Sequence, residues 1–328
     1  MMQDARAMTL RTPRFIQTRE RDSHGERDAA IAGLLAQPAR ALPKYFYDRL
    51  GSHLFDAITE LPEYYPTRTE AAIFAEHGAE MARCIGAGAT LIDLGAGSCE
   101  KAARLMPLLE PRRYIAVDIS ADYLHDALRE LQRDNPALDI VGVGMDFSQS
   151  PALPAGLLAD SPGRPAFFYP GSSIGNFTPA EAAAFLSGVR AQATGGGLLI
   201  GVDLVKPIDI LEAAYDDAIG VTAAFNLNLL RHLNRIVGSD FDPKQWRHVA
   251  LFDSTESRIE MHLQARVDLA VHWSGGMRRF GAGERIHTEN SYKYSVGSFD
   301  ALLARAGFRS SHCWRAPDDA FAVFWAAA

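Results

Sequence analysis

From Ala89 to Asp203 the chain repeats one pattern: a short apolar run that closes on a glycine or an aspartate, often followed by apolar residues at helical spacing. The runs are Ala89 to Leu94 before Gly95-Ala96-Gly97-Ser98, Tyr114 to Val117 before Asp118, Ile140 to Val143 before Asp146, Phe167 to Tyr169 before Gly171, and Leu198 to Val202 before Asp203. Helical stretches stand between them at Lys101 to Leu109, Leu124 to Leu131 and Pro179 to Ala193. Strands joined by single helices need right-handed crossovers and therefore lie parallel. The pattern predicts an α/β fold with a doubly wound, mostly parallel sheet and a ligand cleft at the carboxyl ends of its strands. A helix at Ser298 to Ala306 and two further runs, Phe308 to Trp314 and Phe321 to Ala326 around Pro317-Asp318-Asp319, read as a β-hairpin returning to the same sheet.

Between Lys206 and Tyr294 the rhythm changes, first to helices through about Val237 and then to alternating strands. In Arg258 to Leu263, Ile259, Met261 and Leu263 face one way while Glu260 and His262 face the other. With 328 residues the chain exceeds the usual span of one core, so two domains are expected. Residues 67–205 and 295–328 form the ligand-binding domain in this reading. Residues 29–66 and 206–294 form a mixed α+β substrate domain, and residues 1–28 are a flexible leader.

The 33 lysines and arginines against 40 aspartates and glutamates leave a formal charge of -7, which opposes a phosphate-tracking surface, so no nucleic-acid partner is expected. The longest apolar runs are too short to cross a bilayer, so no membrane partner is expected either. Three widely separated cysteines, Cys84, Cys99 and Cys313, make neither a disulfide framework nor paired metal-ligand spacing, which fits a reducing, cytoplasmic compartment; a monomer is expected. The ten histidines show no zinc-protease spacing, so no metal is expected.

Gly95 and Gly97 follow a strand and open a helix, where backbone can approach a ligand closely. A dinucleotide fingerprint would place a third glycine at position 100, but Glu100 stands there, a residue easier to reconcile with a cationic ligand that carries no phosphate. Asp118 ends the second strand where an acid accepts from a ribose diol. Asp146-Phe147 offers an acceptor for an exocyclic amine and an aromatic wall for a purine ring. Each of these is equally a strand-end cap or turn residue on residue type alone.

Several longer stretches carry a resemblance. They are Lys44-Tyr45-Phe46-Tyr47-Asp48, Leu61 to Glu70 (LPEYYPTRTE), Gly171 to Asn176 (GSSIGN), Ala214 to Asp217 (AYDD), Gly220 to Asn226 (GVTAAFN) and Arg258 to Met261 (RIEM). In these, from about Leu42 to the end, the chain resembles the histidine Nα-methyltransferase family of ergothioneine biosynthesis. The resemblance implies a methyltransferase-type sheet and S-adenosylmethionine-dependent trimethylation of the α-amino group of L-histidine to hercynine. It puts the methyl donor against Tyr47, Gly95, Lys101, Asp118, Asp146 and Phe147. It puts the amino acid against Tyr64, Gly171, Asn176, Tyr215, Met261, Glu289 and Ser291, with Tyr47 and Asn176 as the catalytic pair that orients the amine. The sequence departs from the family pattern at Cys99, Asn290 and Tyr292.

Residue chemistry is compatible with that placement. Glu289 and Ser291 are two apart in a strand-like segment, so their side chains leave one face and can converge on one ring. A carboxylate accepts an imidazole N–H, a hydroxyl serves either ring nitrogen, and an asparagine amide both donates and accepts. By residue type alone, Glu289 and Ser291 are also a solvated strand face, Met261 a core residue, and the tyrosines packing with wet tips. A same-family enzyme acting on an indole is the nearest alternative, and Glu289 argues against it because an indole offers one donor and no ring acceptor.

Overall fold

The computed structural model describes residues 11–18, 23–148 and 150–328. Its centre is an eight-stranded sheet in the order β1-β5-β4-β3-β6-β7-β14-β13. The strands are β1 (Arg14–Gln17), β3 (Thr90–Leu94), β4 (Arg113–Asp118), β5 (Asp139–Gly144), β6 (Pro165–Tyr169), β7 (Gly197–Asp203), β13 (Ser310–Arg315) and β14 (Phe321–Ala327). All neighbours from β1 to β7 pair parallel, and β14 joins β7 antiparallel with β13 outside it.

Burial explains the continuous apolar runs. Every residue of β3 and of β7 is buried, because both faces of the sheet are covered. Successive residues serve opposite layers. Leu91, Tyr114 and Phe168 pack with helices α3 (Tyr65–Ile85), α4 (Glu100–Leu109) and α5 (Ala121–Asp134), while Ile92, Ile115 and Phe167 pack with α6 (Pro179–Gln192) and α9 (Val296–Arg305). Capping boxes start two of these helices, Thr178 with Glu181 at α6 and Ser295 with Ser298 at α9.

A third apolar cluster draws only on residues 30–65 and 211–286. It joins α1 (Ser23–Leu35), α2 (Arg49–Thr59), α7 (Ile208–Ala213) and α8 (Val221–Val237) to a four-stranded sheet, β2-β12-β9-β8. Those strands are β2 (Ala39–Arg40), β8 (Trp246–Asp253), β9 (Arg258–Ala265) and β12 (Arg285–Tyr292), and β10 (Leu269–Trp273) pairs with β11 (Gly276–Phe280) as a hairpin beside them. Asp217 starts α8, its carboxylate accepting from the N–H groups of Val221 and Thr222 at 2.9 and 2.7 Å.

The expectation of a flexible leader over residues 1–28 fails where it can be examined. Residues 1–10 and 19–22 lie outside the described residues, but Arg14–Gln17 is a strand on the edge of the large sheet and Ser23 opens α1. The cause is a gap on the neighbouring strand. A side chain at Gly142 would collide with Phe15 and Leu128, so the missing Cβ gives the Phe15 ring its seat on β5. Among the described residues no helix is long and apolar enough to cross a membrane, and no group of histidine, cysteine, aspartate and glutamate could hold a metal ion.

Candidate active site

The chain runs outward from β3 through β4 to β5 and then restarts on the other side of β3 at β6, so a topological switch point lies between β3 and β6. Two loops flank it, the turn after β3 and the segment after β6. Gly95 and Gly97 have φ of 75° and 50°, and Cys99 takes the left-handed region as well at 63°. The turn is closed by its own hydrogen bonds. Gly95 and Ala96 donate to Val117 O, and Gly97 donates to Asp118 Oδ2 at 2.9 Å. These amides therefore hold the loop to β4.

Asp118 is fixed from both sides, since its other oxygen accepts from Ser120 N–H at 2.8 Å. Each carboxylate oxygen keeps a second lone pair for a ligand hydroxyl. Burial raises its pKa, with these backbone donors acting in the opposite direction. Phe147 lies over the turn, where a Cβ at Gly95 would touch its ring at 3.4 Å, and Asp146 is bonded by Lys44 Nζ at 3.1 Å. Glu100, which stands where a dinucleotide fingerprint would have its third glycine, is mainly exposed and pairs with Arg104, so its carboxylate gives no direct reason to exclude a dinucleotide.

Glu70 connects the two loops. Wholly buried on α3, it accepts from Lys101 Nζ through Oε2 and from the Gly171 N–H through Oε1, each at 2.8 Å. Gly201 makes room for it, since a Cβ there would fall 1.9 Å from Oε1. Gly171 itself has φ of 77°, and a Cβ on it would meet Lys101 Nζ at 2.8 Å.

A cavity opens next to this junction. All of Tyr64, Gly171, Asn176, Tyr215, Met261, Glu289 and Ser291 line it, together with Tyr47. Gly95, Lys101, Asp118, Asp146 and Phe147 do not. Tyr47 links the two groups, because its carbonyl accepts from Ser120 Oγ at 2.9 Å in the loop that carries Asp118. One wall is a chain of aromatic rings: Phe225 and Phe55 flank Tyr47 at 5.8 and 5.9 Å, Phe55 meets Tyr64 at 6.2 Å, and Tyr64 meets Tyr215 at 6.4 Å. Such faces attract a cation.

The polar lining adjoins Tyr215 and comes in part from β12. Glu289 and Ser291 share its face as the period-2 spacing predicts, and Met261 stands opposite Glu289 in the register with β9. Burial pushes the Glu289 carboxyl up to about 8, with Lys293 opposing. Tyr215 Oη and Ser291 Oγ are 2.7 Å apart, and Asn176 Nδ2 reaches Glu289 Oε2 at 3.5 Å. Burial also raises the Tyr47 and Tyr64 phenols far above their ordinary range, with Glu289 adding to both, so they stay protonated.

Sequence reasoning missed Phe55, Phe225, Lys44, Glu70 and Lys293. Lys293 continues the 289, 291 alternation and was within reach of it, while Glu70 ended one of the resembling stretches without a task.

Comparison with known proteins agrees on one family. The histidine-specific, S-adenosylmethionine-dependent methyltransferases match residues 26–328. The chain is 42% identical over 308 residues to the histidine N-alpha-methyltransferase of Mycolicibacterium smegmatis, covering 89% of this chain and 91% of that protein. It is 40% identical over 298 residues to the enzyme of the same name from Mycobacterium tuberculosis, covering 86% and 88%. Ergothioneine biosynthesis protein 1 of Neurospora crassa is 31% identical over 289 residues, which are 84% of this chain and 32% of that longer protein. The chain therefore belongs to the histidine-specific, S-adenosylmethionine-dependent methyltransferase family.

Proposed function

We propose that the chain transfers three methyl groups in succession to the α-amino nitrogen of L-histidine, giving hercynine on the route to ergothioneine. The observation that carries this reading is a single cavity lined by an acid and a hydroxyl on one strand face, an amide, and tyrosines, set beside the loop of Asp118. S-adenosylmethionine supplies a methyl group already activated on a sulfonium. Gly95, Lys101, Asp118, Asp146 and Phe147 would hold it, with Asp118 accepting from the ribose, Lys101 meeting the carboxylate and Phe147 lying against the purine.

The protein's own task is alignment, which can contribute roughly 7–11 kcal/mol. Glu289 and Ser291 grip the imidazole, Tyr215 and Asn176 the carboxylate, and Asn176 with Tyr47 turns the amine toward the donor. Tyr47 does this as a neutral phenol, so the amine proton leaves through water. The aromatic wall excludes bulk water and accommodates the positive charge that accumulates on nitrogen. Residues 67–205 with 295–328 act as the donor-binding part, and residues 29–66 with 206–294 as the substrate part. All lining groups come from one chain, so the reading needs no second copy and no nucleic acid.

Incubation with S-adenosylmethionine and a mixture of the common amino acids, followed by mass analysis, tests the proposal. Histidine should gain three methyl groups. Methylation of another amino acid with histidine untouched refutes it.

A further inference from the structure

Beneath the polar wall lies a lysine that none of these steps uses. The Lys293 side chain is wholly buried, and its Nζ stands 2.8 Å from Asp203 Oδ2, 2.7 Å from Ser291 Oγ and 3.1 Å from Tyr215 Oη. An ammonium has three N–H groups, and three acceptors surround this one. Both hydroxyls therefore accept from Lys293, and one of them donates to the other across their 2.7 Å contact. The remaining hydroxyl proton is left for the cavity.

The charges do not balance locally. Asp203 is shared, because Lys206 Nζ lies 2.5 Å from its Oδ1 and Tyr65 Oη also donates to it. Burial would raise the Asp203 pKa, but Lys293 and Lys206 together lower it. Lys206 is also attracted by Asp318 in the exposed turn before β14. Among the described residues Lys293 shares Asp203 with Lys206, and the other acid it acts on, Glu289, has its carboxyl pushed up to about 8 by burial. A half-compensated cation thus sits directly behind two hydroxyls that face the cavity.

We propose that Lys293 is a positioning residue for the substrate's α-carboxylate, fixing the Tyr215–Ser291 hydroxyl pair so that its one remaining proton is donated into the cavity, and making the cavity selective for an amino acid over the corresponding amine or amide. The proposal rests on assigning this cavity to the amino acid. It extends that assignment by naming the source of selectivity for the carboxylate.

The test compares kcat/KM for L-histidine with that for L-histidinamide and for histamine. Lys293→Met and Lys293→Gln, the second of which keeps a donor without the charge, should each lower the histidine-to-amide ratio about ten- to a hundredfold, mainly through KM. Affinity for S-adenosylhomocysteine should stay at the wild-type value, and Lys293→Arg should restore part of the ratio. Asp203→Asn has the opposite sign, because it frees the ammonium, and should hold or raise the ratio. A merely structural lysine would lower activity on all substrates alike and leave the ratio in place, which would overturn the proposal. So would a fall in the ratio for Asp203→Asn, and this variant decides the matter if both neutral replacements of Lys293 fail to fold. If Tyr215→Phe and Asn176→Ala also leave the ratio unchanged, the cavity is not the amino-acid site. If they lower it while the Lys293 variants do not, only the present proposal falls.

Discussion

Replacing Glu289 with glutamine separates the charge of this carboxyl from its shape. In the folded chain its pKa is about 8, against 4.5 for an unperturbed glutamate, because burial penalises the charged form. Between those values the folded protein holds a proton that the unfolded chain has released, so wild-type stability falls as pH rises from about 4.5 to about 8. Above that range the full penalty is present, and the difference corresponds to about 5 kcal/mol at most. Glutamine matches the protonated acid in shape and never ionises. The gap in stability between Glu289→Gln and wild type should therefore widen in favour of the variant across pH 5 to 8 and then level off. Melting temperatures of both proteins, measured without ligand in a pH series, read this directly, with any constant cost of the substitution cancelling from the slope. Parallel curves for the two proteins would show that Glu289 is ionised in the folded state at neutral pH, and the account of a protonated acid in the empty cavity would be wrong.

Asp118→Ala should weaken S-adenosylhomocysteine binding by about one to two decades while leaving histidine affinity less affected, as calorimetry can show, since a charge-assisted hydrogen bond contributes about 1.5–3 kcal/mol. Unchanged nucleoside affinity in a folded variant would remove Asp118 from the donor site. Glu70→Gln should weaken both ligands together, because one carboxylate holds Lys101 and the Gly171 loop. A loss confined to one ligand would contradict that bridging role. Gly201→Ala should reproduce the Glu70→Gln defect without touching either ligand, since its Cβ would displace Glu70 Oε1, and wild-type binding in this variant would count against the same bridge.

The parallel strands were legible because burial on both faces leaves runs such as Leu91-Ile92 and Leu198-Leu199-Ile200 with no polar interruption. Strand β1 was not, because its two apolar residues sit between Arg14 and Gln17 and gain their packing from Gly142, which lies far along the chain. The cavity shows the same contrast. Glu289 and Ser291 follow from strand alternation, but Lys293 on the same face reads as an exposed lysine until Asp203 is seen behind it. Glu70 acquires its meaning from Gly171 and Gly201, one a donor and the other an absence of side chain, and neither is visible from its own surroundings in sequence. The partners of the Gly95 and Gly97 amides were hidden for a related reason: Val117 and Asp118 belong to the next strand.

The chain leaves the large sheet at Leu204 and returns to it at Tyr294, and these two residues form a parallel bridge, with Tyr294 N–H donating to Asp203 O and Val205 N–H to Tyr294 O. Some ninety residues thus leave and re-enter the sheet side by side, one strand spacing apart. The ends of this segment are fixed on the sheet, while its apolar side is shared with residues 30–65. A graft of a relative's segment would accordingly have to bring residues 30–65 with it and keep Lys293 matched to the Asp203 that stays behind on β7.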